Sequence, residues 1–320
     1  MHDFVDIKTR QAGSFHADVV AGLAARRKTL PSRWLYDDLG CELFEQITHL
    51  DEYYPTRTET AILRQNSVQI ADFCGSRAAL IEYGAGAGIK TEILLRALRD
   101  PHCYLPVDIA GDFLTMTANR LAMQFPQVVI WPIVADFTED FDVSHRLSKI
   151  GNRIGFFPGS TIGNLDAAAT SAFLNRVRRH VGASGRAIIG VDLKKDIETL
   201  IAAYDDREGV TARFNLNLLT RINRELHGEF PLDHFSHRAI WNGDVSAIEM
   251  HLVSLRDQTV AVGRHSFDFF NGETIHTESC RKYDVGEFTR VVERQGWTAS
   301  EIWRDDGELF GVFGLRATVG

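Results

Sequence analysis

Three glycines alternate in the stretch LIEYGAGAGIKTEIL, at Gly84, Gly86 and Gly88, between a short apolar run and a helical pattern. Glycine at such a turn lets backbone approach a ligand closely, and the helix that follows offers free N–H groups. The order is G-x-G-x-G: Ile89 stands where a dinucleotide fingerprint needs its third glycine. An acid, Glu82, sits two residues before the first glycine. Two more acids end the next apolar runs. Asp108 comes about twenty residues on, where a carboxylate can accept both hydroxyls of a ribose. Asp136 can accept an adenine amino hydrogen while Phe137 stacks on the ring.

Two further stretches are rich in polar chemistry. FFPGSTIGNL supplies backbone groups around Gly159 and Gly163 and one amide, Asn164, that can donate and accept. It lacks a G-x-S-x-G order, so Ser160 is not expected to be a hydrolase nucleophile. IHTESCRKY, residues 275–283, packs a carboxylate, a hydroxyl and a thiol into three consecutive positions. In an extended segment side chains alternate, so Glu278 and Cys280 share a face and Ser279 points away.

The elements that must carry these residues read as a doubly wound α/β sheet. From residue 58 a helical pattern, ETAILRQNSVQIADFC, leads into five strands separated by helices: AALIEYG, YLPVDIA, VVIWPIVADF, RIGFF and GRAIIGVDLK. The pattern breaks after residue 204. A long helix, VTARFNLNLLTRINREL, is followed by strand-like runs with no further βα units. After Tyr283 a helix and two strands joined by a short DDGE turn predict a closing β-hairpin. The expected domains are therefore 57–204 with 281–320, holding the cofactor, and 1–56 with 205–280, recognising the substrate.

Bulk properties exclude several classes. A net charge of −8 and a pI near 5.8 give no nucleic-acid footprint, and the basic ARRK at 25–28 is short. Four scattered cysteines without a CxxC pair suit neither a zinc knuckle nor a disulfide framework, and HFSH at 234–237 has no second cluster, so no metal is expected. No apolar run reaches a membrane span and the first twenty residues lack a signal-like core, so a cytoplasmic protein is expected. The sequence leaves the oligomeric state open, with a monomer as the default.

The set E-x-G-x-G-x-G, then Asp, then Asp-Phe, resembles the class I S-adenosylmethionine-dependent methyltransferases, whose seven-stranded sheet also ends in a hairpin. RWLYDDLGCELFEQIT, EYYPTRTE, GSTIGNL, AYDD, FNLNLLTRINREL and IEM resemble, in order and over nearly the whole chain, the histidine Nα-methyltransferases of ergothioneine biosynthesis. That resemblance implies three methylations of the histidine α-amine, giving hercynine. It puts cofactor contacts on Gly84, Gly86, Lys90, Asp108, Asp136 and Phe137. It puts substrate contacts on Tyr53, Asn164, Tyr204, Glu278 and Cys280, with Tyr36, Gly159 and Met250 lining the pocket. Asn164 and Tyr36 are the residues expected nearest the reacting amine, Tyr36 as a proton relay. The chain departs from the family at Cys280, where a Ser is usual, so a thiol replaces a hydroxyl on the imidazole. Methyl transfer needs no covalent intermediate, and a nucleophilic Cys280 is not expected. Two alternatives stay open: the same chemistry on another amino acid or a histidine derivative, and a non-catalytic S-adenosylmethionine-binding protein.

Overall fold

The structure is a computed structural model that describes residues 14–318. The first thirteen residues of the expected recognition domain and the last two of the sheet domain lie outside the described residues. In chain order the strands are β1 (Lys28–Thr29), β2 (Ala79–Tyr83), β3 (Cys103–Asp108), β4 (Val129–Ile130), β5 (Ile133–Val134), β6 (Arg153–Phe157) and β7 (Arg186–Asp192). Then follow β8 (Phe235–Asn242), β9 (Ala247–Ser254), β10 (Gln258–Val262), β11 (His265–Phe269), β12 (Thr274–Arg281), β13 (Trp297–Arg304) and β14 (Phe310–Ala317).

The chain forms two compact units, one of Pro55–Lys194 with 282–318, the other of 14–54 with Lys195–Arg281. The first unit stops at Lys194, short of the expected residue 204, because helix Ile197–Ala202 packs on β8. Its sheet runs β13-β14-β7-β6-β2-β3-β4, with β5 also on β3. β2 through β7 are parallel, and β14 lies antiparallel between β7 and β13. The expected third strand is two short pieces, because Pro132 has no N–H for the ladder; pairing to β3 resumes through the Ala135 N–H and the Asp108 carbonyl (3.0 Å). The single helix expected over 59–74 is likewise two, Tyr54–Gln65 and Ser67–Cys74, separated at Asn66, whose side chain bonds the Ile62 carbonyl at 2.9 Å.

Alternate residues of the central strands feed two cores. Ile81, Tyr83, Leu105 and Val107 pack on one face, and Leu80, Tyr104, Ile154 and Ile188 on the other. A sheet covered on both sides needs such near-continuous apolar runs. The chain leaves β2 toward β3 and β4, then returns to place β6 on the opposite flank of β2. The carboxyl ends of β2 and β6 therefore flank a topological switch point, where ligands of open α/β sheets bind.

The second unit has a sheet of order β1-β12-β9-β8 and a separate β10–β11 hairpin. Helix Val210–Leu226 packs on β8 and β9 and turns Phe214, Leu218, Leu219 and Ile222 inward. Its N-terminal N–H groups at Val210 and Thr211 are capped by the Asp206 carboxylate at 2.9 and 2.8 Å.

Glu82 lies on the Leu80–Tyr104 face of the first sheet, where it accepts from Thr91 Oγ1 at 2.5 Å and from the Tyr104 hydroxyl. Burial lifts its pKa to about 8 despite those two donors. The folded state thus keeps a proton that the unfolded chain has lost above its ordinary carboxylate pKa, so stability falls as pH rises from about 4.5 to 8. Thermal melts across that window should flatten in Glu82→Gln; an unchanged slope would show that Glu82 is ionised in the fold.

Candidate active site

The glycine loop of the first unit is shaped by backbone that only glycine adopts freely: Gly84, Gly86 and Gly88 have φ of 72°, 49° and 69°. The Asp108 carboxylate holds the loop, accepting from Gly86 N (3.1 Å) with one oxygen and from Ala110 N (3.0 Å) with the other. Burial raises the Asp108 pKa, and these N–H groups pull the other way. Thr117 Oγ1 donates to the Gly86 carbonyl at 3.0 Å and Arg120 to that of Ala87 at 2.7 Å, fixing the far side. A Cβ on Gly86 would meet nothing within 4 Å, so the loop borders open space. One on Gly84 would touch the Phe137 ring at 3.5 Å. Phe137 is itself seated on Phe157 and Phe173, with ring centres 5.3 and 5.9 Å away. Asp136 accepts from Thr138 N at 2.8 Å and from its hydroxyl at 2.6 Å. Gly84, Gly86, Asp108 and Phe137 are thus brought together beside open space, and bare backbone, a carboxylate and an aromatic ring are the kinds of group that suit a nucleoside.

Lys90 stands in the first turn of helix Ile89–Ala97. Its Nζ is 2.5 Å from Glu59 Oε2, and the same oxygen accepts from Gly159 N at 2.8 Å. Gly159 (φ 82°) and Ser160 (φ 59°) turn the chain after β6 into the short helix Thr161–Asn164, which ends on Asn164. Ser160 Oγ accepts from Asp192 N at 2.9 Å, so it serves the turn. Glu82, despite its place before the glycines, faces Thr91 and Tyr104 within the core. Glu59 was missed as a site residue. It closes the EYYPTRTE block, but an acid on a helix carries no spacing signal that marks it as buried.

In the second unit an aromatic row leads to β9 and β12. Tyr36 sits between Phe44 and Phe214, with ring centres 5.7 and 5.4 Å away, and Phe44 meets Tyr53 at 6.1 Å. Tyr53 meets Tyr204 at 6.3 Å, and the Tyr204 carbonyl is bonded to His237 Nε2 at 2.8 Å. Burial, then the Glu278 carboxylate, then Tyr53, Cys41 and Cys280 push the Tyr36 pKa well above its ordinary value. The hydroxyl therefore stays protonated at neutral pH. Glu278 lies opposite Met250 and Cys280 opposite Ile248, so all four share a face of the sheet.

A bulge decides that face. The register shifts between His276 and Glu278, and Thr277, the extra residue, bonds the Met250 carbonyl through Oγ1 at 3.0 Å. As a result Ile275, Thr277, Glu278 and Cys280 are all buried, while His276 and Ser279 turn outward and bond each other at 2.8 Å. The bulge precedes Glu278 and does not bring Ser279 inward. His234 of HFSH bonds Gln258 at 3.1 Å and His237 bonds Asn215 at 2.9 Å. No group of three His, Cys, Asp or Glu that could hold a metal occurs among the described residues, nor does any helix long and apolar enough to cross a membrane.

The family described as "Histidine-specific methyltransferase, SAM-dependent" matches residues 15–317. The histidine N-alpha-methyltransferase of Mycolicibacterium smegmatis is 38% identical over 306 residues, covering 94% of each chain. That of Mycobacterium tuberculosis is 38% identical over 300 residues, covering 92% of each. Ergothioneine biosynthesis protein 1 of Schizosaccharomyces pombe is 28% identical across 84% of this chain and 36% of its own length. The parallel sheet closed by an antiparallel hairpin is the class I methyltransferase fold. With this sheet, the matched span and relatives alike over nine-tenths of their length, the chain belongs to the S-adenosylmethionine-dependent, histidine-specific methyltransferases.

Proposed function

We propose that this methyltransferase transfers methyl groups to the α-amine of L-histidine, up to the trimethyl betaine hercynine, in the cytoplasm and on the path to ergothioneine. The observation that carries the acceptor is the buried Glu278, which shares a sheet face with Met250 and Cys280. A buried carboxylate suits an imidazole N–H, which repays its burial with a charge-assisted bond. The names of the relatives and of the family support the same acceptor.

S-adenosylmethionine, when bound, supplies a methyl group already activated by a sulfonium, so the protein contributes alignment, desolvation and a neutral amine. In the first unit, Asp108 would take the ribose hydroxyls, Phe137 and Asp136 the adenine, and the Gly84 and Gly86 backbone the chain that joins them. Lys90 would take the carboxylate of the methionyl part. By the family resemblance, the acceptor's carboxylate falls to Asn164 and Tyr204 and its ring to Tyr53, Glu278 and Cys280. A free α-amine with a pKa of about 8 is largely protonated near neutrality, so the proton must leave before transfer. Tyr36 enters as a neutral hydroxyl, its pKa raised by burial and by Glu278. It can pass a proton between amine and water but cannot act as a phenolate base.

Cys280 favours a second reading, the same chemistry on a related acceptor, because a thiol is a weaker partner than a hydroxyl. An S-adenosylhomocysteine-release assay over the twenty amino acids, with mass spectrometry of products, separates the two. Histidine turnover ending in a gain of three methyl groups is expected; a different preferred amino acid would replace the acceptor. Cofactor binding without any amine turnover would leave a non-catalytic protein.

Three variants divide the labour. Glu278→Ala should raise the KM for histidine roughly 10- to 100-fold, the loss of one hydrogen bond to a charge, with S-adenosylhomocysteine affinity unchanged by calorimetry. Asp108→Ala should show the reverse, weakening S-adenosylhomocysteine about 10- to 100-fold. Cys280→Ser should lower the histidine KM about fivefold, the worth of a neutral hydrogen bond near 1 kcal/mol. A Cys280→Ser enzyme with unchanged KM would mean the thiol does not meet the ring.

A further inference from the structure

Glu59 has no exposed surface, yet it is a carboxylate. It projects from helix Tyr54–Gln65, and a single oxygen, Oε2, serves both Lys90 Nζ (2.5 Å) and Gly159 N (2.8 Å). Among the described residues the other oxygen, Oε1, has no hydrogen-bond partner. It lies against β7 at Gly190, where a Cβ would stand 2.1 Å away. Gly190 therefore opens the slot that admits the carboxylate. A buried ion pair with one oxygen unsatisfied is a poor way to gain stability, since apolar side chains of similar volume do as well or better. An orphaned buried oxygen asks for another reason.

Position supplies one. Lys90 has a flexible four-carbon stem and a strongly hydrated ammonium that would otherwise turn to water. Glu59 holds that ammonium beside Gly159, whose Cβ position is 3.6 Å from Nζ. The same carboxylate fixes the first residue of the turn that delivers Asn164. An ammonium carries three donors and Glu59 takes one, leaving donors for an anionic ligand.

We propose that Glu59 is a positioning residue, which aims Lys90 at the carboxylate of the cofactor's methionyl part and sets the Gly159 turn to the same geometry. The inference rests on the reading of Lys90 as a cofactor contact. It assigns Glu59 no contact with either substrate.

The test compares two ligands, S-adenosylhomocysteine and 5′-methylthioadenosine, which lacks the amino-acid part, by calorimetry on the full chain. Glu59→Gln keeps the volume and an acceptor for Gly159 but removes the charge facing Lys90. It should weaken S-adenosylhomocysteine about tenfold and leave methylthioadenosine unchanged, while Glu59→Asp recovers part of the loss. Equal weakening of both ligands, or of neither, would overturn the proposal and leave Glu59 as a structural group. If Glu59→Gln fails to fold, Gly190→Ala, which crowds Oε1 without changing any charge, should give the same selective loss, and no selectivity there counts equally against the idea. The cofactor reading is checked separately in the wild type. If S-adenosylhomocysteine binds no better than methylthioadenosine, or if Lys90→Ala leaves their ratio unchanged, that reading of Lys90 has failed, whatever Glu59 does.

Discussion

A carboxylate that cannot reach water must be paired, and in this protein that constraint ties four elements of the first unit together. Glu59 on helix Tyr54–Gln65 meets Lys90 at the start of helix Ile89–Ala97, Gly159 after β6 and the bare backbone of Gly190 in β7. Removing either partner would leave a buried charge uncompensated, a loss of about 3–5 kcal/mol. The elements around the switch point are thus held by a polar contact where the apolar cores beneath the strands cannot reach. Packing alone positions a sheet edge loosely; a charge-assisted bond adds direction.

The second carboxylate device of this edge works on backbone. Asp108 spends both oxygens on the N–H groups of Gly86 and Ala110. The Gly84–Gly88 loop is thus tied down by these bonds with its three glycines in left-handed backbone. Thr117 and Arg120 complete the hold from helix Gly111–Gln124. Preorganisation of this kind lowers the ordering that binding would otherwise cost.

In the second unit the corresponding device is a single extra residue. Side chains along a strand alternate, so one inserted position exchanges the faces of everything beyond it. Thr277 is that position. Ahead of it Ile275 faces inward, and behind it Glu278 and Cys280 do, with His276 and Ser279 left together on the other side. An unbulged strand carrying Glu278 inward would expose Ile275 and put His276 in its place.

Much of this was legible in the sequence. The glycine spacing, the acids at the ends of the second and third strands and the alternation of strands and helices are local patterns, and they located the glycine turn at the end of β2 and the parallel sheet with its closing hairpin. The alternation of IHTESCRKY was enough to pair Glu278 with Cys280. Other features were out of reach because they depend on contacts between distant segments. Pro132 splitting a strand could be read from proline chemistry, but the order β4-β3-β2-β6-β7-β14-β13 could not, since each strand's pattern is compatible with several neighbours. Glu82 and Glu59 show the limit most clearly. Both are acids near the site in sequence, one before the glycines and one in the EYYPTRTE block. Only the tertiary structure turned the first into a buried tie between Thr91 and Tyr104 with a raised pKa, and the second into the buried partner of Lys90 and Gly159. What the sequence by itself determined is which chemical groups are present and on which kind of element. Which carboxylates are dry, and hence which must be paired or neutral, was decided by the fold, because desolvation is a property of the surroundings and not of the residue.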